Sequence, residues 1–205
     1  MIRNLSGAVL VVHKNLSRIA ELATNEDFRA LGSLVQGLER VSALELGSMA
    51  QNGQVVELTS VLEELRILIE TTYHESEINV RWDLREPLPL VWADRYGLIQ
   101  VFLNLAKNSQ RAMLSSETKR LRIAAAEENG KVVIRFEDTG TGILSPDKLF
   151  QPFQPGAKSS GLGLYVSRVI MRSFGGDLSY EPRSLGSCFA VALRLPAAAK
   201  EPVDA

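Results

Sequence analysis

Asp138-Thr139-Gly140-Thr141-Gly142-Ile143, followed further on by Ser160-Gly161-Leu162-Gly163-Leu164, decides how the rest of this 205-residue chain is read. Asp138 ends an alternating run, Lys131-Val-Val-Ile-Arg-Phe-Glu, that reads as a strand. Gly140 and Gly142 let the backbone turn sharply and come close to a bound group. Taken alone, Asp-x-Gly after a strand is an ordinary turn. Upstream lies Gln100-Val-Phe-Leu-Asn104-Leu-Ala-Lys-Asn108-Ser-Gln-Arg111. Here Asn104 and Asn108, four apart, share one helix face that Gln100 extends, while Leu98, Val101, Phe102, Leu105 and Ala112 form the apolar side. Gly161 and Gly163 open a helix predicted from about 162 to 174, whose first amides make a ready anion site. Gly-Leu-Gly-Leu is weak by itself. Neither a Walker loop nor a Rossmann fingerprint matches, because no Gly-Lys-Ser/Thr stands at the needed offset and the third Rossmann glycine is missing.

Outward from these motifs the chain divides in two. Apolar residues from Ile2 to Ala23 and from Phe28 to Leu44 fall at helical spacing on either side of Thr24-Asn25-Glu26-Asp27. They predict an antiparallel helical hairpin over 1–51, and its wet apolar side predicts a homodimer closed as a four-helix bundle. The break Gln51-Asn52-Gly53-Gln54 leads into a larger domain over 54–197. There Val55 to Leu58 reads as a strand and Ser60-Val-Leu-Glu63 as a capping box opening a helix. His74 reads as a loop residue. Ile78 to Leu84 alternates like a half-buried strand. After a proline-rich stretch, Asp94 is placed to cap the asparagine helix. Asn129-Gly130 between two alternating runs signals a hairpin. Residues 139–160 read mostly as loop, Gly175-Gly176 as a left-handed helix stop, and two strands near Asp177–Tyr180 and Ser187–Leu195 close the domain. The tail, 198–205, is small and polar and is expected to fray. Strands clustered with a few long helices, without regular alternation, predict an α+β two-layer sandwich.

Composition narrows the function classes. Hydrophobic residues at 45% and charged residues at 23% are ordinary for a globular protein. A net charge of −1 removes any global electrostatic drive toward nucleic acid. No apolar run approaches a membrane span, so no membrane contact is expected. The single Cys188 cannot form an internal disulfide, which suits a cytoplasmic location, and it sits in an apolar run as a buried small hydrophobe.

In order and spacing, the asparagine helix and the two glycine motifs resemble the ATP site of sensor histidine kinases. These belong to a wider family that includes heat-shock chaperone, gyrase and mismatch-repair ATPases. The resemblance implies the Bergerat ATP-binding fold, a mixed sheet with helices on one face, and Mg²⁺ and ATP as ligands. It makes Asp138 the adenine-reading aspartate. Its carboxylate accepts from the exocyclic amine, whereas guanine presents an acceptor there, at a cost of about 1–3 kcal/mol. It assigns Asn108 to the Mg²⁺ of Mg-ATP, a role suited to a hard amide oxygen. Asn104 takes a supporting polar position and Arg111 a basic one that meets the phosphates. Gly140, Gly142, Gly161, Leu162, Gly163 and Leu164 shape the nucleotide cradle, and Lys158 either reaches a phosphate or stays solvated in its loop. Leu149-Phe150-Gln-Pro152-Phe153 resembles the family's phenylalanine box, whose aromatics pin the loop over the nucleotide to the core. Thr139 and Ser160 stand where the family more often has asparagine and threonine. Gly186-Ser187-Cys-Phe189 resembles a last glycine motif with a structural role.

Such kinases carry their acceptor in a His-Glu-x-x-Asn-Pro-Leu motif, and Met1-Ile2-Arg3-Asn4-Leu5 resembles it from the third residue onward. The acceptor is therefore expected to precede the chain, leaving a fragment that does not phosphorylate itself. His13 would lie roughly 20 Å further along the helix and is followed by Lys14 rather than a carboxylate. The implied activity is transfer of the ATP γ-phosphoryl to a histidine, then to the aspartate of a response-regulator receiver domain. Two other readings stay open: a non-catalytic, nucleotide-gated dimeric interaction module, and a serine-directed relative of the anti-sigma type, against which the hairpin speaks.

Overall fold

The computed structural model describes residues 53–151 and 163–196. The predicted hairpin and the tail lie outside the described residues. The elements run in order β1 (Gln54–Val56), α1 (Leu58–Glu75), β2 (Asn79–Leu84), β3 (Val91–Ala93), α2 (Arg95–Met113), β4 (Arg120–Glu128), β5 (Lys131–Asp138), a 3₁₀ turn (Pro146–Lys148), α3 (Gly163–Ser173), β6 (Asp177–Glu181) and β7 (Ser187–Arg194). A five-stranded sheet has the order β2-β4-β5-β7-β6, in which β2 and β4 are parallel and the other pairs antiparallel. β1 and β3 form a separate antiparallel ribbon. The expected α+β sandwich with a mixed sheet is what the chain adopts.

Alternation sets the layers. Leu121, Ile123, Val132, Ile134, Phe136, Val191 and Leu193 are buried on the sheet face that meets the helices, with Leu65 and Ile69 of α1, Phe102 and Leu105 of α2, and Ile170 of α3. Phe102 and Phe136 pack with centroids 5.6 Å apart, joining α2 to the middle of the sheet. The opposite face carries ion pairs over an alanine floor. Arg122 bridges Asp83 and Glu137, Arg183 reaches Glu137 from the other side, and Arg135 is held by Glu128 and Glu181. Cys188 belongs to this face yet is buried, and burial pushes its thiol up to about 12, with Glu181 and Glu137 adding to the rise. It is the inert small hydrophobe that its sequence setting predicts.

Local signals place the ends of these elements. Asp94 caps α2, accepting from the Gly97 amide at 2.7 Å. Asn129 and Gly130 both take positive φ, 51° and 71°, as a type I′ turn requires. At the end of α3, Gly175 has φ 73°, and Gly176 N–H donates to the Met171 carbonyl at 3.0 Å, the Schellman closure. Three expectations are corrected. The first strand stops at Val56 and the helix begins at Leu58, because Leu58, Val61 and Leu62 are all buried and the apolar stripe starts there. Ser60 is therefore inside the helix and is no cap; its Oγ accepts from Arg95 Nη1 at 3.1 Å. His74 lies in the last turn of α1, not in a loop.

Replacing Phe102 with Ala should destabilise the domain by about 3–5 kcal/mol, read as a lower denaturation midpoint in urea. An Asp94→Ala change should cost only about 1 kcal/mol in the same assay.

Candidate functional site

The site is built from α2 upward. Asp94 fixes where the helix starts, and the fully buried Leu98, Val101, Phe102 and Leu105 fix its rotation. Asn104, Asn108 and Arg111 then fall on the side turned from the sheet. Asn108 is half-buried and Arg111 exposed, and no bond from either side chain to another described residue is found. Asn104 is engaged: its Nδ2 donates to Ser167 Oγ on α3 at 3.0 Å. A Cβ on Gly163 would come within 2.6 Å of Asn104 Oδ1, so glycine is what lets the first turn of α3 approach the asparagine. Leu164, one residue on, packs partly buried against the core.

Asp138, the last residue of β5, is 1% exposed and its carboxylate collects four donors. Oδ1 accepts from the Gly140 amide at 2.9 Å and the Ser187 amide at 3.3 Å. Oδ2 accepts from Ser187 Oγ at 2.6 Å and Ser109 Oγ at 3.1 Å. A buried carboxylate needs such company to remain in the fold. The two oxygens differ in kind: Oδ1 faces fixed backbone donors, while Oδ2 faces hydroxyls that can rotate. Tyr73 of α1 lies near by, donating to the Ala106 carbonyl at 2.7 Å, and its phenol titrates above the usual range, first through burial and second through the Asp138 charge.

The loop after Asp138 is stitched to α2 and to the turn before β7. Thr141 N–H donates to the Ala112 carbonyl at 3.2 Å, and a Cβ on Gly140 would lie 2.6 Å from that of Ala112. Gly142 has φ 72° and passes close to the Gly186 carbonyl, while any Cβ on Gly186 would overlap the Asp138 carbonyl oxygen. Thr139 Oγ1 donates to the Thr118 carbonyl at 2.5 Å and accepts from Arg120 N–H at 3.0 Å, clamping the start of β4. Phe150 is partly buried against the core beneath Arg168, whose Cζ stands 4.6 Å from the ring centre. Asp177 holds that guanidinium through two bonds. Lys158, Gly161 and Leu162, with Pro152 and Phe153, lie outside the described residues.

The structure thus gathers Asn104, Asn108, Asp138, Gly140, Gly142, Gly163 and Leu164 around the C-terminal half of α2, with Arg111 at its end. The sequence reading missed Ser109 and Ser167, and gave Ser187 no partner. For Ser109 a signal was available, since it occupies a buried position that continues the Phe102-Leu105 stripe. As for a divalent ion, no group of three His, Cys, Asp or Glu among the described residues could hold one. A lone amide oxygen on Asn108 suits Mg²⁺ that keeps its waters and is carried in by phosphates.

Comparison with known proteins decides the family: the Histidine kinase-, DNA gyrase B-, and HSP90-like ATPases match over residues 93–198. The chain belongs to this family. Its fold is the α+β sandwich of the catalytic domains of sensor histidine kinases. It is 27% identical over 197 residues to the C4-dicarboxylate transport sensor protein DctB of Rhizobium meliloti, covering 92% of this chain and 29% of that one. It is 30% identical over 153 residues to the sensor histidine kinase ZraS of Escherichia coli, covering 73% and 32%. The chain therefore spans about a third of the length of these curated relatives. The solved catalytic domain of histidine kinase ThkA superposes with a TM-score of 0.63 at 26% identity, covering 70% of this chain and 99% of that one. Acinetobacter baumannii histidine kinase AdeS shares the fold, with a TM-score of 0.68 at 22% identity over 94% of this chain and 96% of that one. No described helix is long and apolar enough to cross a membrane.

Ser187→Ala removes one donor from the buried carboxylate and should lower stability by about 1–3 kcal/mol in chemical denaturation. Gly186→Ala should be far worse, with little folded protein recovered, because the new Cβ meets backbone rather than a movable side chain.

Proposed function

We propose that this chain is the ATP-binding and catalytic core of a two-component sensor histidine kinase. It binds Mg-ATP, positions the γ-phosphoryl for transfer to a histidine, and so feeds an aspartate on a response-regulator receiver domain. The observation that carries this reading is the Asp138 constellation beside the Asn108 face of α2. Asp138 reads the adenine amine, with Oδ2 freed as Ser109 and Ser187 turn their hydroxyls. Gly140 and Gly142 let the backbone lie against the base. Asn104 and Gly163 hold the N-terminus of α3 against α2, where its first amides, with those of Gly161, Leu162 and Leu164, face the phosphates. Asn108 holds Mg²⁺ through its amide oxygen, and the ion when bound offsets phosphate charge. Arg111, and Lys158 from the loop, add positive charge at the phosphate end. Phosphoryl transfer of this kind demands positioning and charge neutralisation rather than covalent help from the protein.

The acceptor, homodimerisation through the 1–51 hairpin and a cytoplasmic location belong to the same proposal. Supporting it are the helical periodicity of that segment and the character of the relatives named above. His13, followed by Lys14, is not the acceptor, so the chain binds ATP without phosphorylating itself and needs a histidine-bearing hairpin supplied in trans.

Calorimetric titration should show Mg-ATP binding that weakens in Asn108→Ala and loses most of its dependence on Mg²⁺. Asp138→Asn is the sharper test. Its amide oxygen can keep the Gly140 and Ser187 amides while its NH₂ faces the two hydroxyls, so folding should survive. An NH₂ toward the base cannot accept from adenine's amine but can donate to guanine's carbonyl, so ATP affinity should fall about 10–100-fold and preference should move toward GTP. Absence of nucleotide binding by the unsubstituted chain, or ³²P appearing on His13, would overturn the proposal.

A further inference from the structure

The β1–β3 ribbon has a second face that the nucleotide reading does not use. Val56, Val91 and Ala93 point into the core, and alternation turns Val55 and Trp92, paired directly across the ribbon, outward. Val55 is 50% exposed, Trp92 40% and the nearby Leu90 49%. Together with Arg194, Leu195 and Pro196, Val55 and Trp92 line a groove of about 380 Å³. These side chains leave a small apolar cluster open on the outer face of the ribbon.

The path of the chain indicates what covers it. Gly53, the residue entering β1, lies against the Trp92 indole so closely that a Cβ there would stand 2.7 Å from Cε2. The first described residue of the domain is therefore already at the indole. Immediately upstream run Leu44-Glu45-Leu46-Gly47-Ser48-Met49-Ala50-Gln51-Asn52. Met49 is four residues before Gly53, so its Cα cannot be more than about 14 Å away. An unbranched, polarizable thioether is suited to an irregular groove walled by an indole.

We propose that the segment 44–52 docks into this groove with Met49 as its anchor, making the Trp92 ribbon the seat on which the N-terminal segment meets the nucleotide domain. The strand that carries Trp92 ends at Ala93 and is followed directly by Asp94, the cap of α2. Load on the seat is thereby delivered to the start of the helix that bears Asn104 and Asn108.

The chain has two tryptophans, so in a Trp82→Phe background Trp92 is the sole indole of the full 205-residue protein. Its emission should be that of a sheltered indole at every protein concentration. Adding Met49→Asp should shift the emission to the red and make it easier to quench with acrylamide, with the far-ultraviolet circular dichroism unchanged. A water-like emission before that substitution, or no response to it, would refute the docking. Shelter that disappears on dilution would assign the groove to a second copy of the chain instead. As a second measure, Met49→Cys with Leu195→Cys should be joined within one chain by a short bis-maleimide; links only between chains, or none, would also overturn the proposal. Neither readout involves nucleotide, so failure here leaves the ATP reading standing.

Discussion

One buried carboxylate holds this domain's working parts in register. Asp138 ends the central strand, and its four donors come from the loop it opens, from the first residue of β7 and from α2. An ionised carboxylate in an apolar interior is costly unless each lone pair is met. Strand, helix and loop are therefore locked together by the same bonds that leave an acceptor in place. Its two oxygens divide the labour, since rigid backbone amides fix one and rotatable hydroxyls serve the other. A site that is stable when empty and able to take a further donor needs that division.

Glycine supports the arrangement at two places where nothing larger passes. Gly186 lies against the backbone of Asp138, and Gly163 against the amide of Asn104. Neither position is a hinge on this reading. Both are close approaches, one between two strand ends and one between two helices. The last glycine motif, structural at first sight, therefore also delivers the Ser187 hydroxyl to the aspartate.

Much of this was legible in the sequence because it depends on neighbours in the chain. The Asp94 cap, the Asn129-Gly130 turn, the Gly175-Gly176 stop and the stripe of α2 each rest on residues a few positions apart. What escaped depends on partners far away. β3 is three residues long after a run of prolines and is a strand only because β1 pairs with it. The start of α1 was misplaced because Ser60 and Glu63 imitate a capping box, while burial of Leu58 decides the boundary. Ser187 and Asp138 are 49 residues apart in sequence, and no local pattern announces such a bond. The asparagines and glycines of the candidate site were readable as types and spacings; the hydroxyls around Asp138 were not.

The outward face of the main sheet has a consequence for assembly. Two of its arginines, Arg122 and Arg135, are each held by two carboxylates, and Glu137 by two arginines. A macromolecule approaching those side chains would have to break these pairs before gaining contacts from them. Among the described residues, exposed apolar side chains such as Val55, Leu90 and Trp92 lie instead at the separate β1–β3 ribbon.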